Sequence, residues 1–312
     1  MRAATIREKE IVIEEHPDPV AQAGEVLVRV HAAGLNGADM MQRRGLYPAP
    51  PGSPQDIPGM ELAGEVVALG AGAERFALGE RVMAIVGGGA QAELATVHER
   101  QLMPVPSALD WASAGGLPEV FMTAHDALFT QAELRSGERL LVHGGAGGVG
   151  TAAIQLGRAV GARVTATVRS EELREQVAAL GAETIAPEGF AEHGPFDVIL
   201  ELVGAPNLAD NLNALGTRGR IVVIGVSAGA KGELNLLALM GKRARIYGST
   251  LRARPSEEKA LGARRLEHEV LPLFESGALR VPIAETFPLE QAAAAYERFA
   301  AGGKLGKIVL SL

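Results

Sequence analysis

The run Arg139-Leu140-Leu141-Val142-His143 leads through Gly144 into Gly145-Ala146-Gly147-Gly148-Val149-Gly150, and Thr151 to Val160 follows with helical spacing of its apolar residues. The glycines have G-x-G-x-x-G spacing. On its own that spacing is weak evidence. Here it leaves a strand of buried type and opens a helix inside a βαβ unit, which is the setting its mechanism requires. Gly145 allows a tight turn, Gly147 lets the backbone approach a pyrophosphate, and Gly150 lets helix and strand pack closely. The N–H groups of Gly148 and Val149, at the helix N-terminus, then attract phosphate. A ligand-free glycine-rich turn has the same composition, so it is the context that favours a dinucleotide site.

Strand-like and helical runs alternate on either side of this unit. Val120 to Gln131 has helical spacing; Arg163 to Val168 reads as a strand; Ser170 to Leu180 reads as a helix ending at Gly181. Strand-like runs recur at Asp197 to Leu202, Arg220 to Ile224 and Arg243 to Tyr247. Alternation of this kind specifies a parallel, doubly wound sheet. Before Pro118 the pattern differs. Val26 to Ala32 alternates with period two, and Glu61 to Leu69 and Glu80 to Val86 are β-branched runs bounded by glycines. Turn signals are dense there, as in Pro17-Asp18-Pro19 and Gly87-Gly88-Gly89. The fold class is therefore α/β, with a β-rich domain first and a doubly wound sheet after it. Helical runs at Glu257 to Ser276 and Leu289 to Ala301 precede a closing strand at Lys307 to Leu310, and pattern alone leaves open which domain they complete.

The residues after the second strand bear on which dinucleotide is bound. An enzyme for NAD usually places an acid there to hold the ribose. This chain has Thr167-Val168-Arg169-Ser170 instead. The Arg169 guanidinium suits a 2′-phosphate through charge-assisted hydrogen bonds, and Ser170 can add a hydroxyl. Glu171 and Glu172 fit the first helical turn, where acids favour the dipole. NADPH is the expected cofactor, although a helix cap at Ser170 and a solvated charge at Arg169 would give the same residues. Val203-Gly204 and Gly225-Val226 end later strands and are candidates for the nicotinamide side.

Composition narrows the function classes. The chain has 312 residues, a formal net charge of −7 and no basic block, so neither nucleic acid nor an anionic membrane is an expected partner. With no cysteine, disulfides, thiolate nucleophiles and cysteine-ligated metals are excluded. Met1 to Glu10 is charged and unlike a signal peptide, and no apolar run reaches the roughly 18 residues of a membrane span. A cytoplasmic enzyme is the default expectation. No H-E-x-x-H or G-x-S-x-G occurs, which removes the usual hydrolase signals.

The chain resembles the medium-chain dehydrogenase/reductase superfamily, and within it the zinc-independent NADPH:quinone oxidoreductases. The resemblance spans nearly the whole length. It rests on Gly34-Leu35-Asn36-Gly37-Ala38-Asp39, Pro58-Gly59-Met60-Glu61, Gly88-Gly89-Ala90-Gln91-Ala92-Glu93, Gly147 to Leu156, Leu180-Gly181-Ala182 and Gly306-Lys307-Ile308-Val309. Met41 to Tyr47 and Gly248 to Arg252 also match. It implies a GroES-like catalytic domain over 1–118 and 253–312, a Rossmann domain over 119–252, and a homodimer whose pairing edge includes Arg243 to Tyr247. By position it implies that Asn36, Tyr47, Thr123 and Leu251 lie beside the nicotinamide and that Arg169 and Ser170 hold the 2′-phosphate. The zinc relatives have a histidine where Met60 stands and use cysteines absent here, so no metal is expected. Leu173 stands where the family often has lysine, and no adenine-stacking tyrosine occurs near Ile185-Ala186-Pro187, so Arg169 or Arg174 would supply the charge.

The expected reaction is hydride transfer from NADPH to a quinone or another conjugated carbonyl, such as an enone, with Tyr47 as proton donor or orienter and Asn36 as a carbonyl or ribose contact. Packing of the loop is the other reading of Tyr47. An enoyl-thioester or alkenal reductase would use the same fold and cofactor. A non-catalytic NADPH-binding sensor would bind without turnover. A methyltransferase is disfavoured because no acid follows the second strand.

Overall fold

We describe residues 1–312 from a computed structural model. In chain order the strands are β1 (Arg2–Arg7), β2 (Glu10–Glu15), β3 (Glu25–Gly34), β4 (Glu61–Leu69), β5 (Arg81–Ile85), β6 (Leu94–His98) and β7 (Met103–Pro104). Then come β8 (Arg139–Val142), β9 (Arg163–Thr167), β10 (Glu183–Ile185), β11 (Phe196–Glu201), β12 (Leu215–Val223), β13 (Arg245–Gly248), β14 (Ile283–Pro288) and β15 (Lys307–Ser311). The chain divides into two compact units. One comprises 1–122, 251–302 and 307–312; the other comprises 123–250 and 303–306.

The first unit is the β-rich one. Its main sheet runs β14-β15-β3-β4-β5-β7, with β6 also paired to β3. β3 shows why this segment is a strand. Val26, Val28 and Val30 are buried while Leu27, Arg29 and His31 face outward, the period-two signature of a half-buried pleat. The buried valines join Leu62, Val66, Phe76, Val82 and Leu102 in one core, each side chain contributing about 1.5–3 kcal/mol by leaving water. β15 lies between β14 and β3, pairing Val309 with Gly34 and Ser311 with Ala32. The closing strand therefore completes the first unit's sheet. A second core joins Ile308 and Leu310 to Leu35, Ala295 and the fully buried Tyr296.

The second unit holds a sheet in the order β10-β9-β8-β11-β12-β13, with every pair parallel. Strand succession reverses between β8 and β11, and crevices form outside the carboxyl ends of strands at such a switch point. β8 and β11 read as almost unbroken buried runs, as strands covered on both faces must. This is a GroES-like β-rich domain joined in one chain to a parallel Rossmann-type sheet. No helix is long and apolar enough to cross a membrane.

Several elements depart from the sequence expectations. The run 257–276 is two helices, Ser256–Glu269 and Leu271–Glu275, because Pro272 cannot continue the first. The run from Ser170 opens as a 3₁₀ turn, Glu171–Leu173, before the short helix Arg174–Ala178. The run 120–131 is the helix Pro118–His125 continued by a π-helical segment, Asp126–Gln131. Arg243 is not in a strand. It caps the helix Leu236–Lys242 in the left-handed region, φ 51°, and β13 begins two residues later.

Candidate functional site

In the second unit the glycine loop bridges the end of β8 and the helix Gly148–Ala159. The N-cap of that helix is Gly147, which has no side chain to satisfy the first turn, so the leading N–H groups are left for a ligand. A Cβ at Gly147 would meet only the Gly144 carbonyl, at 3.4 Å; the space over this residue is otherwise open. A Cβ at Gly150 would lie 2.4 Å from the same carbonyl and 2.9 Å from Gly145 Cα. Gly150 is thus fixed by packing, whereas nothing within the chain crowds position 147. Gly145 donates its N–H to the Thr167 carbonyl (3.0 Å), tying the loop to the end of β9.

The two residues that follow β9 and Val168, Arg169 and Ser170, sit beside this loop in the fold. Arg169 is exposed, and its guanidinium makes no ion pair or hydrogen bond within the chain. Ser170 occupies an N-cap position but its hydroxyl does not cap. Arg174 is turned back, its Nε donating to the Val168 carbonyl at 3.2 Å. Of the two arginines, Arg169 is the one left available.

The ends of β11 and β12 are organised by a buried acid that sequence reading passed over. Glu201 Oε1 accepts from the N–H groups of Val203 (2.6 Å) and Gly204 (2.8 Å). Glu201 Oε2 accepts from Asn211 Nδ2 (2.6 Å) and Asn207 Nδ2 (3.1 Å). Asn211 Oδ1 lies 2.7 Å from His143 Nε2. Burial lowers the His143 pKa, against the attraction of Glu201, so the imidazole is neutral at pH 7. Gly225 donates to the Glu201 carbonyl (3.1 Å), and Ala228 to the Val203 carbonyl (2.9 Å). Val203, Gly204, Gly225 and Val226 are therefore brought together at adjoining strand ends. The available signal was an acid ending an apolar strand just before Val203-Gly204. Thr123 is buried on the helix Pro118–His125.

The first unit gathers the remaining candidates around a buried charge network. Asn36 Nδ2 donates to Glu61 Oε1 (2.9 Å), and Asn36 Oδ1 accepts from Lys307 Nζ (2.6 Å). Lys307 also reaches Glu61 Oε1 (2.6 Å) and the Leu35 carbonyl (2.7 Å). Glu61 Oε2 accepts the Glu119 N–H at 2.8 Å. Asn36 is thereby held at both ends of its amide. Asp39, fully buried, accepts the N–H groups of Asn36 (2.8 Å) and Gly59 (3.1 Å). Burial pushes its carboxyl up to about 6, against those hydrogen bonds and the charges of Lys307 and Arg252.

Tyr47 is half-buried, and its hydroxyl makes no hydrogen bond within the chain. Burial raises its pKa, so the group stays protonated at neutral pH. The loop carrying it is anchored by Arg252, a neighbour of the candidate Leu251. The guanidinium donates to the Tyr47 carbonyl (3.0 Å), the Gly87 carbonyl (2.7 Å) and Gln42 Oε1 (2.6 Å). Arg252 Cζ also stands 5.3 Å from the Tyr47 ring centroid. Glu61, Lys307 and Arg252 were visible in the sequence only as letters of family motifs; the folded chain shows what each one holds.

Residues 22–107 match the alcohol dehydrogenase GroES-like domain family, and residues 174–310 match the zinc-binding dehydrogenase family. A quinone oxidoreductase of Rattus norvegicus is 34% identical over 307 residues, covering 94% of this chain and 91% of the relative. Among solved structures, an NAD-dependent alcohol dehydrogenase superposes with TM-score 0.89 at 28% identity, covering the whole of both chains. A mycobacterial protein solved in complex with NADPH gives TM-score 0.89 at 26% identity, again over the whole of both chains. With its glycine loop, its parallel sheet and its GroES-like domain, this chain is an oxidoreductase and belongs to the quinone oxidoreductases of the medium-chain dehydrogenase/reductase superfamily.

Proposed function

We propose that the protein is an NADPH-dependent quinone oxidoreductase that works without a metal. The observation that carries the cofactor reading is the pairing of an uncapped glycine N-terminus at Gly147 with an unpartnered Arg169 beyond β9. The loop offers backbone N–H groups to a pyrophosphate. Arg169, with Ser170, offers a guanidinium and a hydroxyl where an acid would otherwise select NADH. Val203, Gly204, Gly225 and Val226 give the nicotinamide half a backbone-lined approach.

When bound, the dinucleotide supplies a hydride to the substrate, an electrophilic conjugated carbonyl. The chain's own task is to orient and to donate. Tyr47, protonated and with a free hydroxyl, can hydrogen-bond the substrate oxygen as negative charge develops there. Arg252 holds the Tyr47 loop in place. Asn36, locked between Glu61 and Lys307, is the fixed carbonyl or ribose contact in this reading. Thr123 and Leu251 complete the group assigned to the nicotinamide. The metal-free reading is supported by the lack of cysteine, by Met60 in the motif, and by Glu61, whose carboxylate is already taken by Lys307, Asn36 and the Glu119 N–H. No three acidic or histidine side chains converge on a point.

The same reading includes a homodimer. β13 ends the second unit's sheet with only one neighbour, and Leu236, Leu237 and Met240 are exposed on the helix preceding it. An unpaired edge beside apolar side chains favours pairing with a second copy. Sedimentation velocity showing only monomers would remove this element.

The deciding experiment is a fluorescence titration with NADPH and with NADH, followed by addition of 1,2-naphthoquinone. Tighter binding of NADPH and oxidation of the cofactor on adding quinone are expected. Binding without oxidation by any quinone would overturn the catalytic reading, and equal affinity for the two cofactors would overturn the cofactor reading.

A further inference from the structure

Five arginines, Arg135, Arg218, Arg220, Arg243 and Arg245, line a cavity of about 520 Å³ in the second unit. Only two carboxylates, Glu133 and Glu138, share its wall, leaving an excess of three positive charges in a chain whose net charge is −7. The cavity lies at the amino ends of the parallel strands. Arg220 and Arg245 are register partners on β12 and β13, whereas the glycine loop and Glu201 lie at the carboxyl ends.

The arginines divide into a fixed floor and free walls. Arg220 is bound by both Glu138 oxygens (2.8 Å each) and donates to the Ala132 carbonyl (2.8 Å). Burial opposes ionisation of Glu138, but hydrogen bonds from Arg220 and the Arg135 N–H outweigh it and hold the carboxyl below its usual range. Arg218 and Arg243 make no side-chain ion pair or hydrogen bond within the chain. Arg245 reaches only the hydroxyl of Tyr247, at 3.3 Å, and Arg135 is 3.7 Å from an exposed Glu133.

Two features show that the cluster is built. Like charges on neighbouring strands repel, and Glu138 neutralises Arg220 but leaves its register partner Arg245 without an ion pair. Arg218 moreover holds φ at 64° within β12, a left-handed region that bulky side chains rarely adopt. Arg218 and the helix-capping Arg243 open onto the same cavity.

We propose that this cavity is an anion site for a small phosphate-bearing ligand. Guanidinium forks match phosphate oxygens, and the volume is that of a pocket for a small molecule. A concave site in an acidic chain suits a small anion better than nucleic acid or a membrane surface. Pairing of β13 with a second copy does not conflict. Ala244 and Ile246 pack on the core while Arg243, Arg245 and Tyr247 line the cavity, so the strand's edge groups stay available.

The test uses inorganic pyrophosphate as the probe, titrated calorimetrically into the full chain and into the double variant Arg218→Gly/Arg243→Gly. Glycine accepts the left-handed backbone, so the variant should fold, and an unchanged melting temperature verifies this. Expected are saturable binding that weakens with salt, at least a roughly ten-fold loss in the variant, and unchanged NADPH affinity. Hydrogen exchange should slow over 131–138, 216–220 and 243–247. Absence of binding, equal affinity in the variant, or protection confined to 144–151 would overturn the proposal.

Discussion

Lys307 Nζ lies 2.6 Å from Glu61 Oε1, and the two side chains are 3% and 0% exposed. Their positions are far apart in sequence, and it is the first unit's sheet that joins them. Removing one partner of a buried pair strands the other charge, at a cost of about 3–5 kcal/mol. Lys307→Met should therefore lower the denaturation midpoint sharply, and Glu61→Gln/Lys307→Met should recover most of the loss. A double variant as unstable as the sum of the single ones would show that the two groups do not act as a pair.

Asp39 gives a pH dependence of defined sign. Its carboxyl is raised to about 6 in the folded chain, chiefly by burial, against an ordinary value of 3.8. Between those values the folded state holds the proton more tightly than the unfolded state, so this group's contribution falls as pH rises from about 4 to 6 and stays low above that. Asp39→Asn loses one of two accepted N–H bonds but does not titrate. The stability advantage of the unaltered chain over this variant should narrow by on the order of 2–3 kcal/mol between pH 4 and pH 7. A constant gap in chemical denaturation at the two pH values would contradict it.

Gly147 and Gly150 should fail in different ways. Gly150→Ala forces a Cβ to 2.4 Å from the Gly144 carbonyl and should lower the melting temperature. Gly147→Ala has room in the folded chain and should keep stability within about 1 kcal/mol, while its methyl group occupies the pyrophosphate approach. Loss of NADPH binding with an unchanged melting temperature is the expected signature at Gly147.

Arg169→Glu should weaken NADPH by about 10- to 100-fold, the worth of a charge-assisted hydrogen bond, with little effect on NADH. Equal loss of both cofactors would take Arg169 out of its assigned role. Arg252→Lys should act elsewhere. A lysine cannot reach Gly87, Tyr47 and Gln42 together, so the Tyr47 loop loosens and quinone KM rises while NADPH affinity holds.

The Rossmann-type sheet was legible because buried parallel strands read as short apolar runs, and a glycine loop marks the first crossover. The hairpin β1–β2 was not. Its turn, Glu8-Lys9, holds both residues at positive φ (48° and 70°), a conformation normally signalled by Asn-Gly, and no such signal is present. The place of the glycine loop between β8 and its helix was readable from spacing, and an exposed Arg169 from its place after a strand. Glu61, Lys307 and Glu201 were not given roles because each acts through partners that strand register supplies, and register is a property of the whole sheet. The arginine cavity escaped for the same reason, since no stretch of sequence is strongly basic.

The place of β15 between β14 and β3 has a consequence for biosynthesis. The second unit is nearly continuous in sequence, over 123–250, and can close while the ribosome is still translating. The β-rich unit begins first yet cannot seal its sheet until residue 311 has been made. At the usual elongation rate of about 5–20 residues per second, the Ala32–Gly34 end of β3 waits roughly 15–55 seconds for β15, an interval in which a chaperone that shields strand edges would have the most to protect.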